Sequence, residues 1–411
     1  PREVEARRPS SSSVAVVPDV IVTPRQATPG RHTVEDTERF FGARPELQQM
    51  HDFALSSLAS PWAVFAAAMV FAFDQIPWYV HLPALGKRST TPGSINTLAA
   101  LVTKSSGGKG IATSTANEFL SRDTSKLTMP PGSGEGLCRQ FSRKLTPQEE
   151  KGLQANHAGW QADNLLNGQE LFGEPGQYYI LKRRNFVYDA KEIDQLAALS
   201  ARSSSTLDTT LRSAFMGELL GMAYADPNKA TLVPAHQYRL GFLMGVQPLQ
   251  SESLMGQANG GLPQRIFWAS GDDPRLSTWD DNLDRPPPLG HNIGDLPFKP
   301  GPIEVADAVM NDLRAKARLR TDENYTGDPL DGHILFVQER VALMLAVLAQ
   351  RTNITVDDWE LSAKPQNTPK KPGNNASTHS QGLKNDGNMA EESETQSVQA
   401  PPKTTPRPPN G

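Results

Sequence analysis

An α/β fold with a mostly parallel sheet is what this sequence predicts, on three observations. Short apolar runs at Tyr79–Leu82, Ser94–Val102, Asn185–Asp189, Tyr238–Val246 and Ile266–Ala269 alternate with helical patterns. Strands that alternate with helices build parallel pairs through crossover connections. Ser94–Val102 feeds a glycine-rich turn, TKSSGGKG at 103–110, and a helical pattern runs on from Gly110 to Leu120. Strand, glycine turn and helix in that order make a phosphate-binding loop. The third observation is Asn185–Asp189, an apolar run that ends on a carboxylate.

Bulk composition sets the frame. With 411 residues, 37% of them hydrophobic, the chain can bury a sizeable core. Its net charge of −4 excludes a global basic field, so any nucleic-acid contact must come from local clusters. Cys138 stands alone, which rules out an internal disulfide and suits a reducing cytoplasm. The first residues carry charge but no apolar stretch, so no secretory leader is expected there. Ala59–Phe73, ASPWAVFAAAMVFAF, imitates a membrane span. A span needs ~20 residues, and this run is shorter and rich in alanine, with Pro61 near its start and Asp74 at its end. It is read as a buried helix, and no membrane contact is expected.

The organisation follows from composition shifts. Residues 1–44, rich in Pro, Ser, Thr and Arg at their start, form a disordered lead-in, and 45–90 an N-terminal helical segment. Residues 91–270 form the nucleotide-binding core, with an irregular stretch at 121–176 that contains a polar helix near Thr146–Gln154. A linker and helical C-terminal region, with helices at Ile303–Arg318 and Gly332–Gln350, occupy 271–363. Residues 364–411 have almost no large apolar side chain and are expected to be a disordered tail.

The phosphate loop runs Thr103, Lys104, Ser105, Ser106, Gly107, Gly108, Lys109, Gly110. Backbone N–H groups of such a loop surround phosphate oxygens, and the helix that follows adds its positive end. Lys109 is placed to reach the outer phosphates of ATP. Two positions depart from the usual pattern: Thr103 replaces the first glycine, and Gly110 replaces the hydroxyl residue that ligates Mg²⁺. Thr113, one turn later, is the substitute metal-side hydroxyl. Taken alone, the turn also fits a flexible Gly/Ser connection with a solvated lysine.

Residues 185–194, NFVYDAKEID, supply the acids. Asp189 is expected at the metal, Glu192 at the attacking water and Asp194 in support. Acids at a helix start are also common for dipole reasons alone. Tyr238–Val246 ends in Gln247, a strand-end polar residue able to sense the terminal phosphate. Arg265, after Gly260-Gly261-Leu262-Pro263-Gln264, fits either an arginine finger given to a neighbouring subunit or a salt-bridged surface residue.

The order of motifs resembles a known family. LVTKSSGGKG, GSGEGL, VYDAKEIDQLAAL, STLDTTLRSAFMGELLG, YRLGFLMGVQP, GGLPQRIFW and ITVDDWEL follow one another across residues 50–362. The set is similar to the helicase-like half of primase–helicase replication proteins from actinobacterial plasmids, phages and integrative elements. That resemblance implies a RecA/AAA-like core, ATP with Mg²⁺, single-stranded DNA as partner, and a homo-oligomer for which a hexamer is one form. It matches Lys109 to the phosphate lysine, Glu192 and Asp194 to the second acidic motif, Gln247 to the sensor and Arg265 to the finger. A degenerate nucleotide-binding protein without turnover, and a P-loop kinase or transferase, are the alternatives.

Three further features have readings of their own. Gly132–Gly136 reads as an exposed mobile loop. Arg139, Arg143 and Lys144 form one basic cluster and Lys182-Arg183-Arg184 another, with Tyr178 and Tyr179 nearby for stacking on bases. A solvated charge run is the plainer reading of both. No zinc-ligand spacing is present around His157, His236 or His333.

Overall fold

The computed structural model describes residues 30–86, 88–104, 107–123, 128–155, 165–166, 169–174, 177–191, 206–222, 230–248, 251, 261–278, 280, 284–321 and 333–365. Helix α1 (Val34–Phe41) opens with Thr33, whose hydroxyl accepts from the Asp36 amide, and carries Phe40 and Phe41 into the core. The lead-in expected over 1–44 is therefore ordered from residue 30. The cause is aromatic burial: His32 stacks on Trp62 at 4.0 Å, and the Ser270 amide donates to the Gly30 carbonyl. Composition alone hid this, because the Pro- and Ser-rich stretch gives way to aromatics only at its end.

Helices α2 (Pro45–Ser56) and α3 (Pro61–Gln75) each start on proline, which suits the first helical turn. The chain bends 115° between them. In α3 every residue from Pro61 to Asp74 is buried. Burial of each large apolar side chain there contributes about 1.5–3 kcal/mol. No single helix among the described residues is long and apolar enough to cross a membrane.

In chain order there follow β1 (Val80–His81), β2 (Thr97–Val102), α4 (Lys109–Phe119), β3 (Thr128–Met129), α5 (Gly134–Phe141), β4 (Ser142–Lys144) and α6 (Pro147–Ala155). Next come β5 (Leu165–Leu166), β6 (Gln169–Glu174), β7 (Gln177–Leu181), β8 (Asn185–Ala190), α7 (Leu207–Met216), β9 (Leu220–Met222) and β10 (Thr231–Val233). The chain closes with β11 (Arg239–Val246), β12 (Ile266–Ser270), β13 (Gly301–Pro302), α8 (Asp307–Leu319), α9 (Ile334–Leu348) and α10 (Val356–Ser362).

The central sheet has five strands in the order β12-β2-β11-β8-β3, all parallel. Its middle strands β2 and β11 are buried at every position, as parallel strands covered on both faces should be. Gly241 in β11 lets α3 approach, since a Cβ there would stand 2.8 Å from Val70 Cγ1. One hydrophobic core runs from Phe40 to Leu361, so the segments 45–90, 91–270 and 271–363 share it.

Residues 121–176 are not irregular throughout. Strands β4, β7, β6 and β5 form a four-stranded antiparallel sheet, and β9 pairs antiparallel with β10. These strands are short, and polar residues interrupt them, so no alternation of useful length marks them in the sequence. Gly132–Gly136 is likewise no loop: Ser133 caps α5, and Gly134 lies against α7 where a Cβ would meet Thr210 Oγ1 at 2.3 Å. Glycine serves there for close helix packing.

The end of the sheet where β2 and β11 begin is crossed by buried charge. Arg340 donates to the carbonyls of Asn96 (2.6 Å), Phe336 (2.7 Å) and Phe215 (2.8 Å). Arg239 donates to the carbonyls of Pro77 and Val80. Burial pushes both guanidinium groups down to about 9. Asp74 and Arg122 pair at 3.0 Å with almost no exposure. Arg239 ties the carbonyls of Pro77 and Val80 before and within β1, and Arg340 joins α7 and its own helix to the start of β2.

Candidate nucleotide site

Strand β2 delivers the phosphate loop at the carboxyl end of the sheet. Thr103 is fully buried and continues the strand, its amide donating to Val246 O at 3.0 Å. Its hydroxyl has two acceptors in reach, Asp272 Oδ1 at 2.8 Å and Gly107 O at 3.0 Å. The loop is thereby tied across its own neck and to the segment after β12. Gly107 is obligatory in this shape, because a Cβ there would stand 1.8 Å from Thr103 Oγ1. Gly108 has φ +82° and caps α4, so only a residue free in the left-handed region fits. Gly110 faces open space, with nothing within 4 Å of a built Cβ. Lys104 is exposed beside them. Ser105 and Ser106 lie outside the described residues.

Lys109 opens α4, and its stem crosses the neighbouring strand. A Cβ on Gly245 of β11 would meet Lys109 Cδ at 2.6 Å and Cε at 3.2 Å, and Lys191 O at 2.3 Å. The lysine methylenes and the end of the acidic strand β8 are thus neighbours across Gly245. No ion pair or hydrogen bond holds the Lys109 ammonium among the described residues, so its charge is available to an anion.

Asp189 lies at the carboxyl end of β8, opposite Leu243 of β11. Its carboxylate is mostly buried and is ion-paired with Lys191. Glu192 and Asp194 lie outside the described residues. Thr113 is one turn into α4, with its hydroxyl donated back to Lys109 O at 2.9 Å and its lone pairs left over. Gln247 follows β11 directly, next to the loop at Thr103. Thr103, Lys104, Gly107, Gly108, Lys109, Gly110, Asp189 and Gln247 are therefore gathered at one end of the sheet.

Arg265 is not with them. It precedes β12, whose first residue Ile266 pairs with Leu98 near the start of β2. It stands at the opposite end of the sheet from its own phosphate loop. Burial and the nearby Arg212 lower its pKa, and its guanidinium donates to Gly261 O.

Sequence reasoning missed Gly245 and Asp272. An isolated glycine inside a strand pattern marks a close backbone approach, and YRLGFLMGV carries two such glycines, so Gly245 was detectable. Asp272 had no signal, because its partner Thr103 is far away in sequence. The basic and aromatic run at 178–184 is also spent differently from expectation. Tyr178 and Tyr179 are buried, and Arg184 stacks 3.6 Å above Trp78 while pairing with Glu170.

No protein-family model matches the sequence, and no curated protein matches it. Among solved structures, a full-length MCM homologue from Methanopyrus kandleri aligns with 83% of this chain at 12% identity and a TM-score of 0.33. The chain spans 62% of that protein's length. At that TM-score the likeness adds nothing to the architecture already described, an α/β protein with a parallel central sheet.

Proposed function

We propose that the chain is a P-loop ATPase with a RecA/AAA-like core, of helicase-like type, that acts on single-stranded DNA. The observation that carries this reading is the crossing of Lys109 over Gly245 toward the end of β8. It joins the phosphate loop and the acidic strand into one site with β11 inserted between their strands, an order that suits a core with a sensor strand at its centre. A triphosphate fits the residues present. The start of α4 offers amides, Lys109 an ammonium with no partner among the described residues, and Gly108 and Gly110 face open space.

In this reading Asp189 and Thr113 hold Mg²⁺, which would neutralise charge on the outer phosphates. Glu192 orients the attacking water, Asp194 supports it, and Gln247 reads the terminal phosphate. Arg265 serves a neighbouring copy in a homo-oligomer, hexameric or smaller, because its own loop is at the far end of the sheet. The activity is read as serving replication or transfer of a mobile element, on the resemblance of the motif order alone.

One observation favours a second reading. Lys191 occupies the Asp189 carboxylate, which leaves that group closed to a metal unless the pair opens. A chain in which it stays closed binds nucleotide without turnover. ATP turnover with and without single-stranded DNA, in the native chain, Lys109→Ala and Glu192→Gln, separates the two. DNA-stimulated turnover lost in both variants supports the ATPase. Nucleotide binding with no turnover in any of them supports the second reading. Phosphate transfer to a metabolite without DNA contradicts both.

A further inference from the structure

The first basic cluster of the sequence and Lys182 of the second lie apart in the chain, yet they line one cavity. Strand β4 pairs with β7, Ser142 opposite Leu181 and Lys144 opposite Tyr179, and the Lys182 amide donates to Phe141 O at 2.8 Å. That pairing brings Arg139, Arg143 and Lys144 against Lys182 around a cavity of about 440 Å³, with Thr231 of β10 also on its wall. No carboxylate is among its lining residues that are described.

Not all four cations are equally free. Arg143 is held by Glu149 in a two-point pair at 2.7 and 2.9 Å, and Arg139 pairs with Glu135. Lys182 spends one of its three N–H donors on Arg139 O at 2.7 Å. Lys144 has no hydrogen bond or ion pair from its ammonium among the described residues. Partial burial and the neighbouring Arg183, Arg143 and Arg139 push the Lys182 ammonium below the usual lysine range. Burial is the largest single cause of that shift, and the three like charges add positive potential at the cavity. In a chain of net charge −4, such a place is a local exception.

We propose that this cavity is an anion site for backbone phosphates of single-stranded DNA, held by Lys144 and Lys182 with Arg139 and Arg143 as the surrounding field. Compact ammonium groups with free donors suit phosphate oxygens. The base faces are not read here, since Tyr178 and Tyr179 are buried. The choice of DNA rests on the helicase-like reading; the phosphate chemistry does not.

The test needs no ATP, so its outcome is independent of turnover. Anisotropy of a labelled oligo-dT of ~20 nucleotides is followed with the full chain as salt rises from ~50 to ~200 mM. Lys144→Glu, which removes no side-chain hydrogen bond among the described residues, should weaken binding about tenfold at low salt. Lys144→Gln combined with Lys182→Gln should lower the salt slope by about 1.4, two phosphate contacts at about 0.7 each. Unchanged affinity in Lys144→Glu, or no binding by the native chain at ~50 mM salt, overturns the proposal. Displacement of the oligonucleotide by thymidine monophosphate at equal phosphate concentration would assign the cavity to free phosphate monoesters and overturn the strand reading.

Discussion

The two ends of the central sheet are built from opposite materials. Where β2 and β11 begin, long charged side chains are buried and saturated: Arg340 and Arg239 cap loop carbonyls, Asp74 meets Arg122, and Asn96 bonds both Ala214 O and the Leu240 amide. Where the same strands end, side chains give way to Gly107, Gly108, Gly110 and Gly245, beside Lys109, whose ammonium has no partner among the described residues. The first end fixes loops by filling every hydrogen-bond position. The second leaves donors and space, which is what a ligand requires. Stability and binding are therefore expected to separate when each end is altered.

The largest effect is expected at the saturated end. Arg340→Met leaves the Asn96, Phe215 and Phe336 carbonyls without their donor, and urea unfolding should show a loss of about 3–5 kcal/mol. Next is Glu339, beside it in α9. Burial raises its pKa to about 7 from the usual 4.5, against the pull of Arg340. The folded chain thus holds a proton that the unfolded chain releases. Stability is full below about pH 4.5 and falls by roughly 3 kcal/mol as pH rises to about 7. Glu339→Gln should flatten that fall in calorimetric scans, and an equally steep fall in the variant would remove Glu339 as its cause.

Smaller effects belong to the ligand end. Thr103→Val keeps the shape of the side chain and removes the bonds to Asp272 and Gly107, so about 1 kcal/mol of stability should be lost, with nucleotide affinity weakened several-fold. If affinity rises instead, the threonine restrains the loop in a shape unsuited to phosphate. Gly110→Ala meets no neighbour and should stabilise α4 by about 0.5 kcal/mol, read from the melting temperature. A loss there would mean that the open space at 110 is filled by something the comparison of the two ends omits.

The two ends also differ in how far they could be read from sequence. The glycine-rich end was legible as local structure: strand, glycine turn, lysine and helix lie in one run, and an acid closes another. Buried α3 and the apolar second half of α9 were equally plain, since periodicity and composition suffice for burial. The saturated end was illegible, because Arg340 reaches Asn96 and Arg239 reaches Pro77 across long sequence separations. The same holds for the clamp of Thr103 by Asp272. Thr103 looked like a defect of the phosphate loop, and only the fold gives its hydroxyl a partner. The insert sheet from β4 to β7 failed for another reason: its strands are too short for a period to register.

The account depends on phosphate meeting Lys109 where its stem crosses Gly245. Binding of a fluorescent ATP analogue in Mg²⁺, measured for the native chain, Lys109→Ala and Gly245→Val, tests that directly. The predicted result is measurable binding by the native chain and at least about tenfold weaker binding by both variants, a loss of about 1.4 kcal/mol, with Lys109→Ala melting at the native temperature. Equal affinity in all three proteins, or no binding by the native chain, would contradict it.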